Sequence, residues 1–88
     1  MQFMLMCRSL TYAQRTARVL ERAGVTAGVA RAPKSVSNRG CAYTVLVPER
    51  HGERALEILA GAGLSPERVL IKKPDGTIES REGGHDIS

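Results

Sequence analysis

The chain repeats one local pattern, and this repeat limits the folds that it can adopt. Two similar helix-to-strand corners, Leu20-Glu-Arg-Ala-Gly-Val25 and Leu59-Ala-Gly-Ala-Gly-Leu64, stand 39 residues apart. The same offset lays the apolar run Phe3–Cys7 onto a second strand-like run that begins at Ala42. We therefore interpret the chain as two βαβ halves.

Hydrophobic periodicity, capping signals and turn residues predict the elements of each half. Thr11 and Gln14 have the spacing of a capping box, and Gly24 and Gly63 are expected to end the two helices. The predicted elements are strand one at 3–7, helix one from Thr11, strand two at 25–32, strand three at 42–47, helix two from Pro48-Glu49, strand four at 69–73, and a small hairpin that returns through Ile78-Glu-Ser80.

Right-handed crossovers and unknotted connections then predict the simplest topology for these halves. It is α+β, a ferredoxin-like βαββαβ sandwich with a four-stranded antiparallel sheet, two helices on one face and strand order 4-1-3-2. A length of 88 residues allows one domain, expected at 1–80, with 81–88 as a disordered tail.

Composition narrows the function classes. Two cysteines are too few for a secreted disulfide scaffold, and neither a signal region nor a membrane-spanning run is present, so we expect a cytoplasmic protein without membrane contact. Thirteen Lys and Arg residues against nine Asp and Glu favour anionic partners. The three aromatic residues provide little for stacking nucleic acid bases.

The loop between strands two and three is the predicted functional segment. It delivers Cys41 among cations and small hydrogen-bonding residues, a setting that favours a thiolate over a thiol. The cations are Arg31, Lys34 and Arg39, and the small polar residues are Ser35, Ser37 and Asn38, with Gly40 directly before the cysteine. A buried packing role for Cys41 and a merely solvated loop are the structural alternatives.

The predicted topology adds residues to this loop from a distant part of the sequence. Strands one and three would be central neighbours, so Cys7 and Cys41 should be close, beside the start of helix one with Arg8, Ser9 and Thr11. We interpret Cys7 chiefly as a packing residue and leave open that it is a second thiol. No cofactor and no metal are expected, since ligand spacing is absent around the two histidines.

Four stretches together resemble a small bacterial family of selenium/sulfur carrier-like proteins, over about residues 3–73. They are Arg8-Ser-Leu-Thr-Tyr-Ala-Gln-Arg15, the Leu20–Val25 corner, Arg31-Ala-Pro-Lys34 and Gly40-Cys-Ala-Tyr43. The resemblance implies that Cys41 accepts sulfur or selenium from a donor protein and passes it to an acceptor, which is carriage rather than catalysis with turnover of its own. The chain departs from the family pattern at Ala42, where glycine is common.

Two other functions fit the same predicted fold. The first is a regulatory or assembly module that binds a small ligand or an anion at the loop and dimerises through a sheet edge. The second is RNA binding, because Arg39-Gly-Cys-Ala-Tyr-Thr-Val45 partly matches an RNA-recognition signature and Phe3 lies on the strand that would carry the partner motif. The cysteine replaces the key aromatic residue, so we do not expect nucleic acid as a partner.

Overall fold

The computed structural model describes residues 1–32 and 43–80, which form an α+β fold of two helices and a five-stranded antiparallel sheet. The elements in chain order are β1 (Gln2–Cys7), α1 (Leu10–Arg22), β2 (Gly28–Arg31), β3 (Tyr43–Pro48), a 3₁₀ turn (Glu49–His51), α2 (Gly52–Gly61), β4 (Arg68–Lys72) and β5 (Ile78–Ser80). The predicted tail at 81–88 lies outside the described residues. Neither helix is long and apolar enough to cross a membrane.

The strands lie in the order β2-β3-β1-β4-β5, and all neighbours are antiparallel. The order of the first four strands agrees with the expected order, and the hairpin through Ile78–Ser80 is confirmed. The expected count of four strands is wrong. The residues after the turn that follows β4 form a fifth strand, β5, which pairs with β4 and places Ile71 opposite Glu79. The sheet therefore has five strands.

β1 is buried on both faces. Phe3, Leu5 and Cys7 face the two helices and join a core cluster that includes Leu20 of α1 and Leu59 of α2. Met4 and Met6 point to the opposite face, where Leu70 is buried beside them. A nearly continuous apolar run is what a central strand with two covered faces requires.

Three predicted boundaries are wrong for local reasons. Helix α1 begins at Leu10, since Ser9 is extended and accepts a hydrogen bond from the Tyr12 N–H, so Ser9 rather than Thr11 is the cap. Strand β2 begins at Gly28. Pro48 ends β3 instead of opening α2, which is preceded by the 3₁₀ turn. Leu10 is the first residue of α1 and is 41 % exposed.

Gly52 sits at the first position of α2, directly above the ring of Phe3. A Cβ added to Gly52 would lie 2.5 Å from Phe3 Cζ, and the ring is only 4 % exposed, so it has little room to move. The close approach of α2 to β1 therefore depends on the missing side chain. Gly61, at the other end of the same helix, has no atom within 4 Å of the position that a Cβ would occupy.

We expect opposite effects from the same substitution at these two glycines. Gly52→Ala should lower the free energy of unfolding by about 1–3 kcal/mol through overpacking against Phe3. Gly61→Ala should raise it by up to about 1 kcal/mol, because alanine has the higher helix propensity. Urea unfolding of both variants measures the two values. A stabilised Gly52→Ala variant would contradict the close packing of α2 on β1.

The β4–β5 turn is held by a carboxylate. Asp75 Oδ1 accepts hydrogen bonds from the Thr77 N–H at 2.9 Å and from the Thr77 hydroxyl at 2.7 Å. Gly76 adopts the left-handed φ of +92° that the turn needs. The side-chain and backbone hydrogen bonds from Thr77 lower the pKa of Asp75, whereas the hydrogen bond and charge of Glu79 raise the pKa of Lys73.

The turn should loosen in acid. A carboxyl group whose pKa is lower in the folded state stabilises that state above its unfolded pKa of about 3.9, and the contribution is lost as the pH falls through the lowered folded value. We expect the Thr77 amide resonance to shift toward a random-coil position below about pH 3.9. The matched Asp75→Asn variant keeps an acceptor oxygen but does not titrate, so its Thr77 resonance should not follow that transition; an identical transition there would contradict the role of Asp75.

Candidate functional site at the end of strand one

The nine residues predicted for the site divide into two groups. Cys7, Arg8, Ser9 and Thr11 belong to the described part of the chain and lie between the end of β1 and the first turn of α1. The remaining five, Lys34, Ser37, Arg39, Gly40 and Cys41, lie outside the described residues. The structure therefore describes one side of the predicted site.

A pocket of about 110 Å³ opens at this end of the sheet. Its lining residues come from the end of β1, the first turn of α1 and the segment that leads into β4. They are Cys7, Arg8, Tyr12, Ser65 and Glu67. Two of the four predicted residues that are described, Cys7 and Arg8, therefore meet at a cavity, together with three that the sequence pattern did not indicate.

Tyr12 and Ser65 join the start of α1 to the segment before β4. The Tyr12 hydroxyl donates to the Ser65 carbonyl at 3.0 Å and accepts from the Ser65 N–H at 2.8 Å. Both backbone groups of Ser65 are thus satisfied by one side chain that is 53 residues away in sequence. This double hydrogen bond fixes one wall of the pocket.

Arg8 does not present an uncompensated cation. Its guanidinium donates to a carboxylate oxygen of Glu67 at 2.9 Å, and both side chains remain solvent-accessible. The backbone N–H of Glu67 donates to the Met6 carbonyl at 2.8 Å, which holds the acid beside the end of β1. Because Glu67 neutralises it, Arg8 contributes less to anion binding than its charge alone predicts.

Ser9 and Thr11 have separate surroundings. The Ser9 hydroxyl oxygen caps α1 through the 3.1 Å bond from Tyr12 N–H, so its acceptor capacity is already used in part. Thr11 does not line the pocket but borders a depression on the outer side of α1 with Gln14 and Arg15. Neither Ser9 nor Thr11 therefore lines the pocket, and Ser9 is linked to it only through the backbone of Tyr12.

Cys7 underlies the pocket rather than opening into solvent. Its residue is 0 % exposed, belongs to the main core cluster, and its thiol lies 3.5 Å from the Leu5 carbonyl oxygen. A buried thiol in apolar surroundings is disfavoured as a thiolate. This position agrees with the packing interpretation of Cys7.

The aromatic residues considered for RNA stacking lie on the helix-covered face of the sheet. Tyr43 pairs with Cys7 and packs against the main core cluster, and Phe3 is buried beneath α2. Arg31 lies 5.8 Å from the centre of the Tyr43 ring, at its register position on β2. Base stacking needs an exposed ring face, so Phe3 cannot provide one.

Three pocket residues, Tyr12, Ser65 and Glu67, were not predicted from the sequence. The expected strand order could have indicated them. Strands one and four were expected to be antiparallel neighbours, which places the residues just before strand four beside those just after strand one.

Among the described residues, no group of three or more His, Cys, Asp or Glu side chains could hold a metal ion.

The fold and the pocket define a small α+β protein with a cavity above a buried cysteine at one end of its central strand. The chain belongs to the family described as "Putative Se/S carrier protein-like", whose family model matches residues 2–71. That range begins with β1 and ends within β4. Comparisons with curated proteins and with solved structures yield no match.

The contribution of the Tyr12–Ser65 hydrogen bonds to the free energy of unfolding can be measured by removing the Tyr12 hydroxyl oxygen. Tyr12→Phe deletes both hydrogen bonds and leaves two backbone groups of Ser65 to water, so we expect a loss of about 1–2 kcal/mol in the free energy of unfolding. The matched control is Tyr43→Phe, since no hydrogen bond of the Tyr43 hydroxyl is found among the described residues. Equal losses in the two variants would show that the link does not stabilise the fold.

Proposed function

We propose that the protein is a carrier that accepts sulfur or selenium on the thiolate of Cys41 and passes it to an acceptor protein. The observation that carries this proposal is membership of the selenium/sulfur carrier-like family over residues 2–71, a range that contains Cys41. Donor and acceptor proteins are the implied partners, in a reducing cytoplasm that keeps a thiol available.

Cys41 is close in sequence to a described residue near the pocket. Only Ala42 separates it from Tyr43, and two residues of chain span at most about 7 Å. Tyr43 is the register partner of Cys7, and paired Cα atoms in antiparallel strands are about 4.5–5.5 Å apart. In this proposal the sulfur transfer takes place near the end of the sheet where α1 begins and the pocket opens.

The proposed transfer needs no external oxidant or reductant. The Cys41 thiolate attacks the outer sulfur of a donor persulfide, R–S–SH; the new S–S bond forms as the donor S–S bond breaks, and the donor leaves as the thiolate R–S⁻. Cys41 then carries –S–SH, and delivery to an acceptor thiolate repeats the exchange. With R–S–SeH as donor the same balance gives –S–SeH on Cys41.

The transfer requires Cys41 to be a thiolate near neutral pH, and cations must supply much of that stabilisation. Arg8 is neutralised by Glu67, so we assign this role to Lys34 and Arg39 of the adjoining sequence, together with the positive end of α1. Ser9, Ser37 and the Gly40 backbone are proposed as neutral donors. Cys7 is proposed as the buried support beneath the pocket rather than as the transferring thiol.

The experiment is a persulfide transfer assay read by intact mass spectrometry. We expect the native protein to gain one sulfur atom when treated with glutathione persulfide, and to lose it when an excess of a small thiol is added. Cys41→Ser should abolish the gain. Cys7→Ala should retain it, which distinguishes the two thiols while avoiding a polar side chain in the core.

The pH dependence of Cys41 alkylation in the Cys7→Ala variant tests the thiolate directly. The carrier proposal expects a midpoint below the ordinary thiol pKa of about 8.5, because cations and a helix N-terminus stabilise the charged form. Lys34→Gln with Arg39→Gln should move that midpoint upward. A thiol that reacts only after unfolding would refute the carrier proposal and leave anion binding by the basic loop as the function to test.

A further inference from the structure

The pocket at the end of β1 carries one cation and one anion at its mouth. Arg8 and Glu67 are the only charged residues among the described residues that line it, and their side chains are 73 % and 40 % exposed, so they lie toward solvent. The other lining residues, Cys7, Tyr12 and Ser65, are uncharged. A ligand that matches this lining carries both signs of charge at one end and no charge at the other.

The Arg8–Glu67 pair keeps hydrogen-bonding capacity for a ligand. The bond between the two side chains joins Arg8 Nη2 to Glu67 Oε2 at 2.9 Å. A guanidinium has several N–H donors and a carboxylate has a second oxygen atom, so the pair retains donors on one side and Glu67 Oε1 on the other. No further hydrogen bond of either side chain is found in the part of the chain that the structure describes.

A zwitterion suits this pair better than a simple anion does. An anion is attracted by Arg8 but repelled by the adjacent Glu67, so little net attraction remains. An α-amino acid instead brings a carboxylate for the guanidinium and an ammonium group for the Glu67 carboxylate. Both of its charged groups are attached to one carbon atom, so they can contact two side chains that are themselves in contact.

The volume of the pocket limits the side chain of the ligand. An apolar cavity of about 150 Å³ holds a benzene ring, and this pocket, at about 110 Å³, is smaller. An aromatic side chain is therefore too large, whereas a small –CH₂–SH, –CH₂–SeH or –CH₂–S–SH group fits beneath the charged pair. Cys7 and Tyr12 provide uncharged surface, which suits a soft, polarisable sulfur or selenium atom.

We propose that the pocket binds a free α-amino acid with a thiol or selenol side chain, whose carboxylate contacts Arg8 and whose ammonium group contacts Glu67. This binding does not depend on Cys41. Its role in transfer rests on the proposed carrier function: the persulfide of the bound amino acid is the donor R–S–SH, and the amino acid leaves as its thiolate when Cys41 takes the outer sulfur.

The test is a nuclear magnetic resonance titration of the isotope-labelled Cys41→Ser protein with L-cysteine under reducing conditions, so that binding is measured without sulfur exchange at Cys41. We expect saturable shifts of the amide resonances of Cys7, Arg8, Tyr12 and Glu67. Neither β-mercaptopropionate, which lacks the ammonium group, nor cysteamine, which lacks the carboxylate, should cause them at the same concentration. L-Phenylalanine, whose side chain is too large for the pocket, should not bind either.

Substitutions of the charged pair test the two contacts separately. Glu67→Gln and Arg8→Gln each remove one charged contact and should weaken L-cysteine binding about tenfold. Because both side chains are solvent-accessible, the fold should tolerate either substitution. Glu79→Gln is the matched control, since it breaks the ion pair with Lys73, neither of whose members lines the pocket. It should leave the affinity unchanged.

Equal binding of L-cysteine and β-mercaptopropionate would overturn the proposal, because the pocket would then be a simple anion site. So would equal losses of affinity for Glu67→Gln and Glu79→Gln, or no binding of L-cysteine. None of these results bears on whether Cys41 accepts sulfur, which the persulfide transfer assay of the native protein tests by itself. Failure of amino acid binding can therefore be distinguished from failure of the carrier function.

Discussion

The pairing of β1 on both of its edges is the constraint on which the rest of the structure depends. β1 is hydrogen-bonded to β3 and to β4, and its side chains are buried on both faces. Its registers place Cys7 opposite Tyr43 and Met6 opposite Arg68. The end of β1 and the beginnings of β3 and β4 therefore lie at the same end of the sheet, where the pocket forms.

The described side of this edge is polar but nearly balanced in charge. The Arg8–Glu67 pair cancels a cation and an anion, and the Tyr12 hydroxyl satisfies both backbone groups of Ser65. These contacts shape and support a cavity without making it strongly electropositive. The carrier proposal therefore assigns the stabilisation of the Cys41 thiolate mainly to the basic residues that precede β3 in the sequence.

Hydrophobic periodicity predicted the strands and helices well, because their apolar residues are the ones that the fold buries. Strand three was predicted at 42–47, and in the structure Tyr43, Val45 and Val47 of this strand face the helices. Gly24 and Gly63, which were expected to end the two helices, adopt the left-handed φ of such positions. The start of α1 was misplaced because Ser9 and Thr11 are both acceptable caps, and only the extended backbone at Ser9 decides between them. Tyr12 and Glu67 could not be recognised from local patterns, since their roles come from partners more than fifty residues away.

The position of β1 in the chain also affects how the protein is made. β1 precedes both of its neighbours in the chain, and these end only at Pro48 and Lys72. During translation an apolar segment, Phe3 to Cys7, must therefore wait for most of the domain before both of its edges are paired. Such non-local pairing slows folding and leaves an apolar strand prone to aggregation until β4 is available to pair with it.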